Sequence, residues 1–249
     1  MAILSSNGKL MTIGGTIIKA KLVDPYNPLN LPPFTIRLKY RDNVTPTFSK
    51  GTGVQVSSSP NIWDLTYESQ DWSYLLDGQV DLIEVIDANT SGVTDMQGMF
   101  NNCSILSAVA LFDTSDVTNM DSMFYSCRNL TSIPLFDTSK VTDMGEMLHY
   151  CRSLTTVPLF NTSKVTNMDR MCMSCESLTS IPLLNTSSCT NMSQAFYACY
   201  NVQSGALALY QQASTQATPP SIYSGAFENC GSNTTTGAAE LAQIPSDWK

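Results

Sequence analysis

Five cysteines, Cys103, Cys127, Cys151, Cys175 and Cys199, follow one another at an unvarying interval of 24 residues. Met96, Met120, Met144, Met168 and Met192 keep the same step, as do Thr94, Thr118, Thr142, Thr166 and Thr190. A chain with this period is a repeat protein, in which each unit is one supersecondary structure stacked on the next. A single unit carries too few apolar side chains to offset the entropy of ordering its own backbone. Neighbouring units therefore have to share a continuous core.

Within one unit, Met120, Met123, Phe124 and Cys127 fall at i, i+3, i+4 and i+7, which predicts a short helix started by Thr118 or Asn119. The second half reads Leu130-x-x-Ile133-x-Leu135 and recurs at Leu106, Leu154 and Leu178, resembling the strand segment of a leucine-rich repeat. Strands repeat at about 4.8 Å and helices with side chains are about 10 Å across. A stack of such units is expected to curve with its strands inside. The expected fold is α/β: a curved solenoid of 24-residue units, short helix plus strand, preceded by a small β domain.

The chain divides accordingly. Residues 1–60 do not follow the period; β-rich stretches from Met11 to Leu22 and from Phe34 to Arg41 flank a loop with Pro25, Pro28, Pro32 and Pro33. Residues 61–92 form a degenerate first repeat and cap, with Trp72, Leu75, Leu76, Leu82 and Val85 in register and Gln79 at the cysteine position. The repeats proper cover 93–203. In 204–249, Ala226 to Cys230 repeats Ala195 to Cys199 after 31 residues, the excess being a longer helix near Gly205 to Ala213, and Ala238 to Gln243 supplies a last capping helix.

Residues 1–50 hold seven Lys or Arg against two Asp, whereas 51–249 hold six against nineteen acidic residues. The acidic part repels a phosphate backbone, so nucleic acid is not an expected partner. No apolar run is long enough to span a bilayer, and the amino terminus shows no basic segment followed by an apolar stretch, so neither membrane insertion nor an export leader is expected.

Material for catalysis is sparse. The one histidine, His149, shares a column with Asn101, Tyr125, Met173 and Tyr197 and reads as an exposed substitution. Cys172 with Cys175 resembles a redox pair, yet Cys172 stands in a phenylalanine column and Cys175 in the cysteine ladder, whose thiols are expected to pack as small hydrophobes without disulfides. The Asx columns, Asp95 to Asn191 and Asp113 to Asn185, are explained by turn and cap hydrogen bonds better than by calcium. No enzyme, cofactor or metal is expected.

Two surfaces are candidates for binding. Strand alternation sends Pro134 and Phe136, Pro158 and Phe160, and Pro182 and Leu184 outward as an apolar stripe on the concave face; in the alternative reading Phe112, Phe136, Phe160 and Leu184 turn inward and complete the core. On the strand Thr35 to Arg41, Arg37, Lys39 and Arg41 share one face, either solvated or an attachment surface for an acidic partner.

The units Phe136-Asp137-Thr138-Ser139-Lys140-Val141-Thr142-Asp143-Met144 and Phe160-Asn161-Thr162-Ser163-Lys164-Val165-Thr166-Asn167-Met168 closely resemble BspA-type leucine-rich repeats. That family occurs in bacterial surface proteins of Mycoplasma and Bacteroides and in virion proteins of gut bacteriophages. Together with the short β domain and the Ala/Gln/Thr-rich end, the segment Pro60-Asn61-Ile62-Trp63-Asp64-Leu65-Thr66 looks more like the phage-encoded versions. The resemblance implies a non-enzymatic virion component, a capsid decoration or tail adhesion module. Its N-terminal domain would bind other virion proteins, and its repeats a host-surface protein or glycan; it could form a homo-oligomer. The alternative implied is a bacterial cell-surface adhesin.

Overall fold

The computed structural model describes residues 28–249, together with the backbone of two short strands, β1 (Met11–Ile13) and β2 (Thr16–Ile18). These two pair antiparallel, Met11 opposite Ile18. The rest of the expected stretch from Met11 to Leu22, and Pro25, lie outside the described residues.

The fold is mixed α/β, with one open five-stranded sheet and few helices. Five further strands, β3 (Thr35–Tyr40), β4 (Thr52–Ser58), β5 (Asn61–Thr66), β6 (Leu82–Asn89) and β7 (Ala108–Val109), form the sheet in the order β4-β5-β3-β6-β7. β3 lies antiparallel between β5 and β6, while β7 joins β6 in parallel. Alternation along β3 puts Ile36, Leu38 and Tyr40 into the core, where they meet Leu65 of β5 and Leu82, Val85 and Ala88 of β6. The expected boundary at residue 60 falls between β4 and β5, neighbouring strands of this sheet.

Beyond β6 the chain advances in turns of 24 residues that lie parallel to one another. Single parallel bridges join Asp71 to Asp95, Asp95 to Asn119, Asn119 to Asp143, Asp143 to Asn167 and Asn167 to Asn191. The last step runs from Asn191 to Ile222 and spans the 31-residue interval. The periodic side chains point into one core: Met120, Met123, Phe124, Cys127 and Leu130 and their equivalents in the coils starting at Met96, Met144 and Met168 are fully buried. Phe100 stacks on Phe124 at 5.3 Å between ring centroids.

The helix expected over Met120 to Cys127 does not form. Instead, alternate amides cross to the next turn: Met120 N–H donates to the Asp143 carbonyl (3.0 Å), Ser122 to Gly145 (2.8 Å), Phe124 to Met147 (2.9 Å) and Ser126 to His149 (2.7 Å). The amides between them close tight turns, Met123 onto Met120, Tyr125 onto Ser122 and Cys127 onto Phe124. Ser122 (φ 56°) and Ser126 (φ 61°) adopt the left-handed conformation that this alternation demands. Eight residues are too few to hold a helix by themselves, and the adjacent turn offers carbonyls at strand spacing, where a helix does not fit. On the opposite side, amides of Thr155, Thr179 and Gln203 reach Thr131, Thr155 and Thr179 of the preceding turn. Both sides are thus hydrogen-bonded at one spacing, so unequal widths of strand and helix do not impose the expected curvature.

Two helices close the far end, α1 (Ala206–Thr215) and α2 (Thr235–Gln243). Gly205 enters α1 at φ 101°, and a Cβ there would lie 2.2 Å from the Ile181 carbonyl oxygen, so only glycine fits. Trp248 stacks over Tyr223 at 4.3 Å, and its carbonyl receives the Phe227 amide, covering the last turn.

Candidate functional site

Most repeated polar side chains are consumed in holding the turns together. The hydroxyls of Thr118, Thr142, Thr166 and Thr190 each donate to the carbonyl of the threonine 24 residues earlier, at 3.0 to 3.2 Å. Buried Thr114, Thr138 and Thr162 donate forward to the carbonyls of Asp137, Asn161 and Asn185. In both Asx columns the side-chain oxygen accepts the amide two residues on, as Asp143 does from Gly145 and Asp137 from Ser139; Asn167 also donates back to Asp143 at 3.0 Å. Among the described residues no grouping of three or more His, Cys, Asp or Glu is suited to a metal ion.

The cysteine ladder does more than fill space. The thiols of Cys103, Cys127, Cys151, Cys175 and Cys199 point at the carbonyls of Leu76, Phe100, Phe124, Leu148 and Cys172, at 3.1 to 3.2 Å. All eight cysteines are free and buried. Burial pushes the thiols of Cys127, Cys151 and Cys199 well above their ordinary range, disfavouring thiolate chemistry.

His149 is buried, against the expectation of an exposed substitution. Its ring stacks on Tyr150 at 4.3 Å and meets Tyr125 edge-on, its Nδ1 lies 3.3 Å from Glu146, and its Nε2 has no partner among the described residues. The next turn adds Asp169 and Arg170, which pair with each other at 2.8 Å. Burial lowers the His149 pKa, against the pull of Glu146, and burial raises those of Asp121 and Asp169.

The basic face of β3 is already partnered. Arg37 lies opposite Asp64 of β5 and binds it through two bonds of 2.7 Å; Lys39 lies opposite Glu84 of β6 at 3.4 Å; Arg41 reaches Asp81 at 3.3 Å. The face expected to be free for an acidic partner is matched within the sheet. Its acids come from β5, from β6 and from Asp81 just before β6, whose pairing with β3 the sequence does not display.

The expected apolar stripe is displaced by one residue. Phe136, Phe160 and Leu184 are buried, with Phe112 in the same layer, so the inward reading of these residues describes the structure. Pro134, Pro158 and Pro182 are half-buried. The amides of Phe136, Phe160 and Leu184 bond to the carbonyls of Pro134, Pro158 and Pro182, two residues back, at 2.9 to 3.0 Å. Each forms a three-residue turn that reverses the strand alternation and throws the central residue outward. That residue is a leucine every time. Leu135, Leu159 and Leu183 are 61 %, 63 % and 54 % exposed, and Leu111 continues the column at 36 %. The available signal was the repeated triplet Pro-Leu-Phe or Pro-Leu-Leu, in which proline interrupts the strand ladder.

The leucine ladder has defined ends. One turn earlier its column holds Asp87, buried and accepting the amides of Leu29 and Ala88. One turn later it meets α1, whose Gln212 donates to the Leu184 carbonyl. Elsewhere, a cleft of about 170 Å³ beside Tyr40, Val44, Gly78, Gln79 and Asp81 is smaller than typical ligand pockets.

The model of a family described as "Mycoplasma protein of unknown function, DUF285" matches residues 70–180 and 94–209, together more than half of the chain. No curated protein and no solved structure shows significant similarity to it.

Proposed function

The chain belongs to that family, and from this premise we propose that it is a non-enzymatic structural and binding protein, a solenoid of BspA-type repeats that displays a surface to a partner. One observation carries the reading. The repeated threonines, Asx residues and cysteines are spent on holding turn to turn, and the repeated apolar side chain left facing solvent is the leucine of Leu111, Leu135, Leu159 and Leu183. A column of exposed leucines is costly to maintain unless something covers it.

We place the protein on a bacteriophage particle, with residues 1–60 toward other virion proteins and the acidic turns outward. Support comes from the resemblance of the units around Met144 and Met168, and of the Pro60 to Thr66 segment, to phage-encoded members of the repeat class. The paired charges of β3 move the attachment surface away from Arg37, Lys39 and Arg41. Mass spectrometry of purified particles tests the placement: peptides of this chain in stoichiometric amount are expected, and their absence rejects it.

The family description, which names Mycoplasma, favours a second reading as a bacterial cell-surface adhesin. Recovery of the chain from the cell envelope of an uninfected bacterium selects that reading.

A further inference from the structure

We propose that the leucine ladder is a self-association face, joining two copies of this chain about a two-fold axis that runs along the stack. The proposal rests on the reading of this column as a covered surface and names a second copy as what covers it, whether a particle or a cell carries the protein.

The face has an unusual boundary. Residues 129–136, 153–160 and 177–184 contain no charged side chain, nor do residues 104–112 in the first rung. The chain as a whole carries a formal charge of −8, so two copies repel each other over most orientations and least through this band. Exposed Leu111, Leu135, Leu159 and Leu183 run down it, beside exposed Thr131, Thr155 and Thr179. Four rungs at about 4.8 Å set the first and last leucines of the column roughly 14 Å apart.

Charge on the two borders identifies the occupant. One border carries Arg128, Arg152 and Glu176; the other carries Asp137, Asn161 and Asn185. A two-fold along the stack keeps each rung level with its copy and exchanges the borders. Arg128 then faces Asp137, Arg152 faces Asn161, and Glu176 faces Asn185. At these positions no like charges meet, and Lys140, near Asp137, is already paired with Asp116 at 2.7 Å. Arg128 is exposed, and its Nε bonds only weakly, at 3.4 Å, to the Ser126 hydroxyl. Asp137 is exposed as well, with its Oδ1 on the Ser139 amide. A second copy thus supplies an ion pair to the residues on both borders, besides covering the leucines. The leucine column of each copy rests on the threonine column of the other, since the axis passes between them.

Sedimentation of the full chain at concentrations up to about 100 µM tests the proposal. A reversible monomer–dimer equilibrium is expected. Leu135→Glu combined with Leu159→Glu is expected to weaken it at least ten-fold, with the unfolding midpoint nearly unchanged because both side chains are exposed. Arg128→Asp or Asp137→Arg alone is expected to weaken the dimer, and the two together to restore it. Val54→Lys with Val56→Lys, on the open edge strand β4, is expected to leave it intact. A chain that stays monomeric, or a dimer indifferent to the leucine substitutions, overturns the proposal. Failure of the charge swap to recover association overturns the two-fold arrangement, and loss of the dimer on altering β4 moves the interface there.

Discussion

At the residue scale, the cysteine ladder shows how far a side chain's role can be read from its spacing. The interval revealed that the thiols are structural, and their burial follows from their place on the apolar face. Their second role, capping the carbonyl of the preceding turn, has no trace in the sequence because it depends on the turn's path. Burial holds Cys189 up to about 11 and Cys230 up to about 12, with the ladder thiols beyond reach of solvent. At about pH 8 the native protein is therefore expected to leave a thiol reagent nearly unconsumed, whereas unfolding in guanidinium releases eight thiols per chain. The column of His149 holds polar residues elsewhere and so suggests exposure, and nothing in the sequence tells that Tyr125 and Tyr150 pack against it. Its folded pKa lies below the unfolded value near 6.5. The unfolded state thus binds more protons, so stability is full above about pH 6.5 and falls as pH drops toward the folded pKa. Glu146 and Asp169 oppose this loss and Arg170 adds to it. His149→Phe is expected to flatten the decline in melting temperature between about pH 7 and pH 5; an unchanged slope assigns the decline to other groups.

At the scale of the element, the pattern of buried residues was legible and the backbone beneath it was not. Offsets of three, four and seven residues place Met120, Met123, Phe124 and Cys127 on one face of a helix, and they do so equally well in a string of tight turns. The difference lies in Ser122 and Ser126, whose positive φ no helix accepts. Gly98, equivalent to Ser122 one turn earlier, also has positive φ and gave the available hint. Left-handed conformation costs an L-residue about 1 to 2 kcal/mol. Ser122→Gly is therefore expected to raise stability by about 0.5 to 1 kcal/mol, read as a shift of the urea midpoint without change of slope. A helix there would instead lose about 1 kcal/mol with glycine, so the sign of the shift distinguishes the two backbones. Phe124→Ala is expected to cost about 3 to 5 kcal/mol, since the ring lies between Phe100 and Phe136. The reversal at Leu135 has the same origin: strict alternation predicts it inward, and the turn that begins at Pro134 ends the alternation.

At the scale of the molecule, each turn touches its neighbours and little else, so units are expected to be separable. The period and its break after Cys199 stand in the sequence; in the structure α1, α2 and Trp248 lie over the last turn. What the period hides is that equivalent positions are not interchangeable. Asp121 and Asp169 stand two turns apart in one column, with Gly145 between them. A Cβ on Gly145 would lie 2.8 Å from Asp121 Oδ1, so the intervening turn has little room to spare. Excising residues 165–188 joins Lys164 to Cys189, which takes the place of Val165, and brings no like charges together. That shortened chain is expected to fold cooperatively, with a lower melting temperature and a smaller denaturant slope because less surface is buried. Excising residues 141–164 removes the same length but sets Asp121 directly against Asp169, whose carboxyls burial already holds above the ordinary value. Contributions from such raised carboxyls are present below the unfolded pKa and lost as pH rises through the folded one. The second excision is thus expected to be the less stable at neutral pH and to recover toward the first as pH falls to about 4. Circular dichroism melts of both chains at the two pH values read the difference directly. Equal stability at neutral pH would mean that the column has relaxed to keep the carboxylates apart, and collapse of both chains would mean that a turn depends on more than its nearest neighbours.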